Sequence, residues 1–195
     1  MIYCLIGPSA SGKDTVYRRH RALRPEWKPV VLYTTRPVRE GETEGVEYHF
    51  VTDEVLDQYA QEGRVIEERV YHTVMGPWRY ATVDDGFVRT DGADTDYLLI
   101  GTLESFRSLR SYFGAEHVMP LYIEVPEELR LERARAREMR EEHPRLDEME
   151  RRFRADQADF SPEKLRAAGI RKGYRNLDLE TCINEILADT GKPNI

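Results

Sequence analysis

Short apolar, β-rich segments alternate with amphipathic segments along most of the chain. The apolar segments lie at Ile2–Ile6, Val30–Tyr33, Tyr97–Ile100 and Val118–Val125. The amphipathic segments, in which apolar side chains recur at helical spacing, lie at Asp14–Leu23, Leu103–Tyr112, Glu127–Arg140 and Leu179–Ala188. Strands that alternate with helices in this way predict an α/β fold with a mainly parallel sheet.

Two regions interrupt this alternation. Residues 36–90 contain dispersed glycines and two runs of alternating polarity, Val46–Val51 and Val65–Val70, which predict a small antiparallel insert. Residues 127–154 contain nine arginines and nine acidic residues, and His143–Pro144 interrupts them. Because proline ends a helix, this region is predicted to form two helices separated at the proline.

The composition indicates a single core and disfavours nucleic acid and anionic membranes as partners. The 195 residues are 40% hydrophobic and 33% charged, which suits one globular unit. A net charge of -7 disfavours a protein that binds nucleic acid or anionic membranes through charge. The apolar run Ile2–Ile6 is too short to cross a bilayer and lacks the basic flank of a secretion signal, so a soluble, cytoplasmic protein is expected. Cys4 and Cys182 have no metal-binding or disulfide spacing, so both are expected to be reduced and buried.

The segment after the first apolar run has the pattern of a phosphate-binding loop. It reads GPSASGK from Gly7 to Lys13 and leads directly into a predicted helix. Glycines let the backbone curl so that its N–H groups converge on an anion, and the lysine reaches the β- and γ-phosphates. The residues expected to hold a nucleotide here are Gly7, Ser9, Ala10, Ser11, Gly12, Lys13, Asp14 and Thr15.

Asp14 departs from the phosphate-loop pattern, which has serine or threonine after the lysine. That hydroxyl normally binds Mg²⁺, and a carboxylate is also a hard oxygen ligand. Three interpretations stay open: Asp14 holds the metal directly or through water, Thr15 takes the role, or Asp14 only caps the helix.

A second candidate anion site follows between Thr34 and Phe50. Arg36 and Arg39 lie three residues apart beside a glycine-bounded turn, and Tyr48 follows. Arginine forks match phosphate oxygens in pairs, and the tyrosine hydroxyl adds a neutral donor. This set suits a monophosphate, although an exposed basic loop would have the same residues.

The stretch Thr34–Phe50 resembles the guanylate kinase family, whose pattern TTRPxRxGExxGxxYxF it matches almost letter for letter. The loop Gly7–Lys13 is similar to the family's loop, with Ala10 where the family usually has glycine. Weaker similarity extends over nearly the whole chain. The resemblance implies a P-loop nucleoside monophosphate kinase fold with a parallel-sheet core, an acceptor-binding insert and a mobile lid. The implied bounds are 1–33, 94–126 and 155–195 for the core, 34–93 for the insert and 127–154 for the lid.

The resemblance also implies roles for residues of the insert. Arg36, Arg39, Tyr48 and Tyr80 would hold the acceptor phosphate, while Glu67 and Thr82 would face guanine. A carboxylate can accept hydrogen bonds from N1–H and the 2-amino group of guanine, which adenine cannot satisfy. The alternative is that Glu67 is a solvated charge on a strand.

The chain departs from the family at Tyr97–Thr102. The family's strand ends here in Asp-x-Asp, but both acids are missing, and Thr102 stands where one of them would help bind guanine. The stretch between Glu67 and Tyr80 is also about four residues longer than the family pattern. Base specificity is therefore less well determined by the sequence than phosphoryl transfer is.

Arginines of the charged region match the lid of the family. Arg133 and Arg137 are four residues apart, so they share a helix face, and Arg152 follows the proline break. The resemblance implies that these three neutralise the phosphoryl group in transfer; a solvated, salt-bridged helix pair is the alternative. Asn176 lies where the family contacts the adenine of ATP. The alternative is that it caps a loop.

These features together predict Mg²⁺-dependent transfer of the ATP γ-phosphate to GMP or dGMP, with small nucleotides as partners. Two alternatives are kept. One is a kinase of the same fold for another phosphorylated acceptor, such as ribose 1,5-bisphosphate. The other is a guanylate-kinase-like module that binds phosphopeptides without catalysis. The sequence leaves the oligomeric state open.

Overall fold

The strands form two sheets in the computed structural model, which describes residues 1–73, 75–90, 95–140 and 144–191, and only the main chain of Arg152. The strands are β1 (Ile2–Ile6), β2 (Lys28–Pro29), β3 (Tyr33–Thr34), β4 (His49–Phe50), β5 (Val65–Thr73), β6 (Gly76–Val83), β7 (Tyr97–Ile100), β8 (Val118–Glu124) and β9 (Gly173–Arg175). The helices are α1 (Lys13–Leu23), α2 (Asp53–Gln61), α3 (Leu103–Phe113), α4 (Glu127–Glu138), α5 (Leu146–Asp159), α6 (Pro162–Ala167) and α7 (Leu179–Thr190).

The central sheet has the strand order β2-β7-β1-β8-β9, and every neighbouring pair is parallel. The predicted α/β fold with a parallel sheet is therefore confirmed. Parallel strands present their carboxyl ends at one edge, which is where open α/β sheets bind ligands. The segments after β1, β7 and β8 all leave from this edge, so the phosphate loop, Thr102 and the start of α4 are neighbours.

Helices cover both faces of the central sheet. Ile2 and Ile6 of β1 pack on one face against Phe106 of α3. Leu5 of β1 points to the other face and packs with Ile183 of α7. Successive residues of a strand point to opposite faces, so the continuous apolar run of β1 is what a strand buried between two helical layers requires.

The second sheet has the order β4-β3-β6-β5 and carries the insert residues. Its main component is the antiparallel hairpin of β5 and β6. Helix α2 covers one face, where Leu56 packs against Tyr33, Ala81 and Val83. The insert thus has a small core of its own beside the edge of the central sheet that carries the phosphate loop.

The prediction of one strand over Val30–Tyr33 is wrong, because this apolar run is shared between the two sheets. The Val30 N–H still donates to Leu98 of β7, whereas the Leu32 carbonyl accepts from His49. Strand β2 therefore ends at Pro29, and β3 begins at Tyr33. The chain crosses from one sheet to the other here, with Val30 and Leu32 packed against the core.

The prediction of an antiparallel strand over Val46–Val51 is also wrong. Only His49–Phe50 forms a strand, and it pairs in parallel with β3. Gly45, with φ of +75°, turns the chain, and Val46 is exposed. The other predicted run lies in β5, whose partner β6 has no simple alternation in its sequence.

The break between the two charged helices is confirmed. Helix α4 ends at Glu138 and α5 begins at Leu146, with Pro144 between them. His143 lies outside the described residues. The structure adds α2, α6 and β9, which the pattern of apolar residues did not predict.

Both cysteines are buried and free, on opposite faces of the central sheet. Burial raises the pKa of the Cys182 thiol to about 11. Within the described residues, no helix combines the length and the apolar content that a membrane span needs.

Because His20 of α1 is buried, the stability of the protein should depend on pH. Its ring is buried against Trp27, and neither ring nitrogen has a hydrogen-bond partner in the described part of the chain. Burial lowers the pKa of His20 from 6.5 to about 4, with Arg24 adding to the effect and Glu26 opposing it. Between these values the unfolded chain binds the extra proton, so the free energy of unfolding decreases as the pH falls.

We expect His20→Leu to remove this acid sensitivity. At neutral pH the variant should be more stable by about 1 kcal/mol, because two unpaired buried nitrogens are replaced by apolar surface. Urea denaturation at about pH 7.5 and about pH 5 measures both effects, with the exposed His72→Leu as the control. Parallel loss of stability in wild type and His20→Leu would contradict the assignment.

Candidate functional site

The loop between β1 and α1 has a backbone conformation that can bind an anion. This loop, Gly7–Lys13, is called the anion cradle below. Gly7 has φ of +155°, and a Cβ there would lie 2.7 Å from the carbonyl oxygen of Ile123 in β8. Ala10 and Gly12 also have positive φ, 61° and 85°. Left-handed positions turn successive N–H groups toward one point, and the free N–H groups of α1 follow directly. The loop can therefore bind a phosphate through its main chain.

Asn176 supports this loop from the segment between β9 and α7. Its amide Nδ2 donates to the carbonyl of Ser11 at 2.8 Å, and the side chain is buried. A Cβ at Gly12 would collide with the same amide, which explains the glycine. Of the two predicted roles, contact with adenine or capping of a loop, this hydrogen bond matches the second.

Lys13 extends over the loop at the start of α1. Its Nζ donates to the carbonyl of Pro8 at 3.2 Å. Burial lowers the pKa of Lys13, whereas Asp14 and Asp156 raise it and Arg137 and Arg130 lower it. The ammonium group thus lies within the electrostatic reach of both carboxylates and both lid arginines.

The predicted acceptor-phosphate residues come together on the insert. The Arg36 guanidinium lies over the ring of Tyr48, 5.0 Å from its centroid, and the Tyr48 and Tyr80 rings are 5.6 Å apart. Arg36 is buried and donates two hydrogen bonds to Glu42, at 2.7 and 2.6 Å. These bonds lower the pKa of Glu42 to about 2.

Arg39 differs from Arg36 in being exposed. Its main-chain N–H donates to Glu42 at 2.8 Å, so one carboxylate holds both the Arg36 fork and the turn that carries Arg39. Glu42 was part of the motif that identified this stretch, but its role in holding the arginines appears only in three dimensions.

A cleft of about 590 Å³ lies between the core and the insert. Lys13 and Asp14 line it from the core, and Tyr48 lines it from the insert. Arg69 and Thr102 line the same cleft at the end of the central sheet. The cleft thus contains Lys13 of the one predicted anion site and Tyr48 of the other.

Hydroxyl groups surround Glu67 at the base of the insert. Its Oε1 accepts from Thr82 at 3.0 Å and from Ser105 at 3.1 Å. Thr102 is the N-cap of α3, forms a capping box with Ser105, and lies 3.0 Å from the Ser105 hydroxyl. The predicted trio of Glu67, Thr82 and Thr102 is thus brought together, with Ser105 joining it.

Two arginines of the predicted lid contact the core. Arg133 donates to the carbonyl of Asn176 at 3.2 Å. Arg130, which the sequence analysis did not select, is buried, donates to the carbonyl of Ser9 at 3.4 Å and lies over the ring of Phe153. Arg137 acts on Lys13 through its charge. The side chain of Arg152 lies outside the described part of the structure.

Asp156 of α5 places a carboxylate in the anion cradle. Its Oδ2 accepts from the main-chain N–H of Ser9 at 2.8 Å. The loop that is predicted to bind phosphate thus donates here to an internal carboxylate, which lies within the electrostatic reach of Lys13 and Arg130. Asp156 lies beyond the arginine-rich stretch and matches no motif, so the sequence does not mark it.

Two of the missed residues had a signal in the sequence. Arg130 shares the helix face of Arg133 and Arg137, since the three recur at intervals of three and four residues. Ser105 stands three residues after Thr102, which is the spacing of a capping box. For Asp156 no local signal exists. No group of three or more His, Cys, Asp and Glu side chains suited to a metal occurs within the described ranges.

The sequence is similar to guanylate kinases. A family model described as guanylate kinase matches residues 1–157. A guanylate kinase from Tropheryma whipplei (strain Twist) is 32% identical over 115 residues, which cover 59% of this chain and 58% of that protein. One from Thermobifida fusca (strain YX) is 49% identical over 63 residues, 32% of each chain. The aligned part thus spans little more than half the length of the first of these relatives.

The fold is similar to that of a solved structure. The crystal structure of guanylate kinase from Anaplasma phagocytophilum matches with a TM-score of 0.66 and 22% identity, over 99% of this chain and 87% of that chain. The match supports the P-loop nucleoside monophosphate kinase fold for the whole described chain.

Glu42→Gln tests how Arg36 is held. The variant leaves a buried guanidinium without its carboxylate, so we expect lower stability at neutral pH. Because the pKa of Glu42 is lowered from 4.5 to about 2, its stabilising effect is complete above 4.5 and is lost as the pH falls toward 2. The stability difference between wild type and variant should shrink over that interval.

Thermal denaturation across pH, with the exposed Glu40→Gln as the control, measures this difference. A difference that stays constant down to about pH 2 would contradict the role of the Glu42 charge.

Asp156→Asn tests whether the Asp156 carboxylate competes with phosphate for the loop. Asparagine keeps an oxygen that can accept from the Ser9 N–H but lacks the negative charge that repels phosphate, so we expect ATP to bind about three- to tenfold more tightly, equivalent to about 1 kcal/mol. Titration of ATP measures the dissociation constant. Asp159→Asn, one turn along the helix segment and paired with Lys164, is the matched control. Unchanged or weaker ATP binding in Asp156→Asn would refute the competition.

Proposed function

The chain belongs to the guanylate kinase family, and on that basis we propose that it transfers the γ-phosphoryl group of ATP to GMP or dGMP, giving ADP and the diphosphate. The observation that carries the proposal is the cleft that both Lys13, from the phosphate loop, and Tyr48, from the arginine-rich insert, line. Phosphoryl transfer needs alignment and charge compensation more than covalent chemistry.

The phosphate loop would hold ATP. The N–H groups of Ser9 to Lys13 would bind the β- and γ-phosphates, and the Lys13 ammonium would compensate their charge. Asn176 keeps the loop in this conformation through Ser11. Asp156 would leave the Ser9 N–H as the phosphate enters.

The insert would hold the acceptor phosphate. The Tyr48 and Tyr80 hydroxyls and the exposed Arg39 fork are the donors available to it, while the Arg36 guanidinium, which Glu42 holds, lies over the Tyr48 ring. The base would lie at the end of the cleft that Arg69 and Thr102 line, in front of Glu67 and Thr82.

The lid arginines would close over the transferring group. Arg130 and Arg133 already contact the loop and its support, and Arg137 and Arg152 are the further cations of the two lid helices. Closure excludes water, which prevents hydrolysis of ATP and strengthens the electrostatic interactions in the site.

Asp14 is the residue that would hold Mg²⁺. It lies in the first turn of α1, exposed on the cleft beside Lys13, and its carboxylate is a hard oxygen ligand. Such a position fits a metal that takes one or two carboxylates and completes its shell with waters and phosphate oxygens. When bound, Mg²⁺ neutralises charge on the phosphoryl group.

A coupled assay of ADP formation tests the proposal with GMP, dGMP, AMP, UMP, CMP and ribose 1,5-bisphosphate, each with and without Mg²⁺. We expect Mg²⁺-dependent turnover with the guanine nucleotides. Lys13→Met should lower kcat by about a hundredfold or more, because a cation that compensates transition-state charge is lost. The exposed Lys164→Met is the control.

Three outcomes would count against this function. Turnover of the sugar phosphate alone would assign another acceptor. Binding of a phosphopeptide without ATP affinity would indicate a non-catalytic module. Activity of Lys13→Met equal to wild type would exclude the phosphate loop from the reaction.

A further inference from the structure

Strand β5 lies at the edge of the insert sheet, and its outer half is exposed. The order β4-β3-β6-β5 gives β5 one neighbouring strand among the described residues. Near its start β5 packs against the core through Ile66. Farther out, Val70 is 47% exposed, Tyr71 is 50% exposed, and Met75, which follows the strand, is 77% exposed. The outer half of β5 therefore combines an open strand edge with exposed apolar side chains.

The main-chain groups of Val70 and His72 point toward this open edge. Val70 is paired with Arg79 across the hairpin. The Arg79 carbonyl accepts from the Thr35 N–H at 3.0 Å, and the Arg79 N–H donates to the Thr35 hydroxyl at 3.1 Å, so both groups of Arg79 point away from β5. Its partner Val70 then points its own N–H and C=O to the opposite side, and the alternation along a strand gives His72 the same orientation. Within the described chain, nothing outside the hairpin bonds to these groups.

The hairpin blocks the edge of β6 but leaves that of β5 open. Natural sheets prevent edge pairing with proline, charged side chains, bulges or a covering element. On β6, Pro77 is opposite His72, so an N–H is missing at that position of the edge. The bulge of β5 lies near its start, between Val65 and Glu67. From Val70 to Thr73 the strand has no lysine, arginine, aspartate, glutamate or proline.

We propose that this edge of β5 pairs with the same edge of a second copy of the chain, antiparallel and with the two-fold axis at Tyr71. In this register Val70 forms a hydrogen-bonded pair with the partner subunit's His72, and Tyr71 lies opposite the partner subunit's Tyr71. Arg69 lies opposite the partner subunit's Thr73, so no like charges are opposed. A strand pair about a two-fold axis is self-complementary, because each edge supplies what the other lacks.

The contact is small, so the dimer should be weak. A standard stable interface buries about 1,600 Å² in total, and a strand pair of about four residues from each subunit supplies only part of this area. Each subunit also carries a net charge of -7, which opposes association and is screened by salt. We expect a dissociation constant of about 100 µM that decreases severalfold between about 50 and about 500 mM NaCl.

Sedimentation equilibrium of the full chain, from about 10 µM to about 1 mM, measures the association. Tyr71→Lys places two ammonium groups opposite each other, and His72→Pro removes an N–H from the open edge but none from the hairpin ladder. Each should weaken the dimer by about tenfold or more. Leu23→Lys adds the same charge at an exposed apolar position of α1 and should leave the dissociation constant unchanged.

A disulfide tests the register. Opposed residues of a non-hydrogen-bonded pair have Cα atoms about 4.5 Å apart, which a disulfide can span. Tyr71→Cys should therefore form a covalent dimer under mild oxidation, whereas Val70→Cys, which is not opposite its own copy, should do so far more slowly. Cys4 and Cys182 are both buried, so the native thiols should not contribute.

Three outcomes would overturn the proposal, and none depends on kinase activity. A wild type that stays monomeric at about 1 mM would leave this edge to another partner or to the chain's own lid. A dimer that survives both Tyr71→Lys and His72→Pro would use a different surface. Loss of the dimer in Tyr71→Lys with no effect of His72→Pro would indicate a side-chain contact without strand pairing. Thermal denaturation reports whether each variant is folded, and if one is not, the cross-link decides.

Discussion

The path of the main chain between β1 and α1 is the constraint on which the rest of the structure depends. The loop must turn through left-handed positions at Ala10 and Gly12 before α1 can begin at Lys13. Such a conformation persists only if its surroundings hold it. The parallel neighbour β8 lies against Gly7, and Asn176 lies against Ser11 and Gly12. The central sheet therefore supplies the support as well as the location of the cradle.

Internal carboxylates position the cations of the site. Glu42 holds Arg36, and Glu67 holds Arg69. Each acid lies in or near the same local stretch as its arginine, so both pairs belong to the insert. A long cationic side chain loses conformational entropy when a ligand immobilises it. An internal partner that already holds the side chain reduces the entropy lost on binding.

Asp156 has a different relation to the cations, because it reaches the cradle from α5. It accepts from the Ser9 N–H and brings a negative charge near Lys13 and Arg130. The contact joins α5 to the loop after β1, so a phosphate bound at the Ser9 N–H would displace the α5 carboxylate.

The sequence by itself determined the features that depend on local patterns. The buried strand β1, the phosphate loop, the two lid helices and the set of Arg36, Arg39 and Tyr48 all follow from spacing within a few tens of residues. Only the tertiary structure decided which sheet receives Val30–Tyr33, because an apolar run does not specify its hydrogen-bonding partner. It alone placed Ser105 on Glu67 and Asp156 on Ser9, which are 38 and 147 residues apart in the chain. Contacts over such separations arise from packing of the sheet and lid, and no local pattern encodes them.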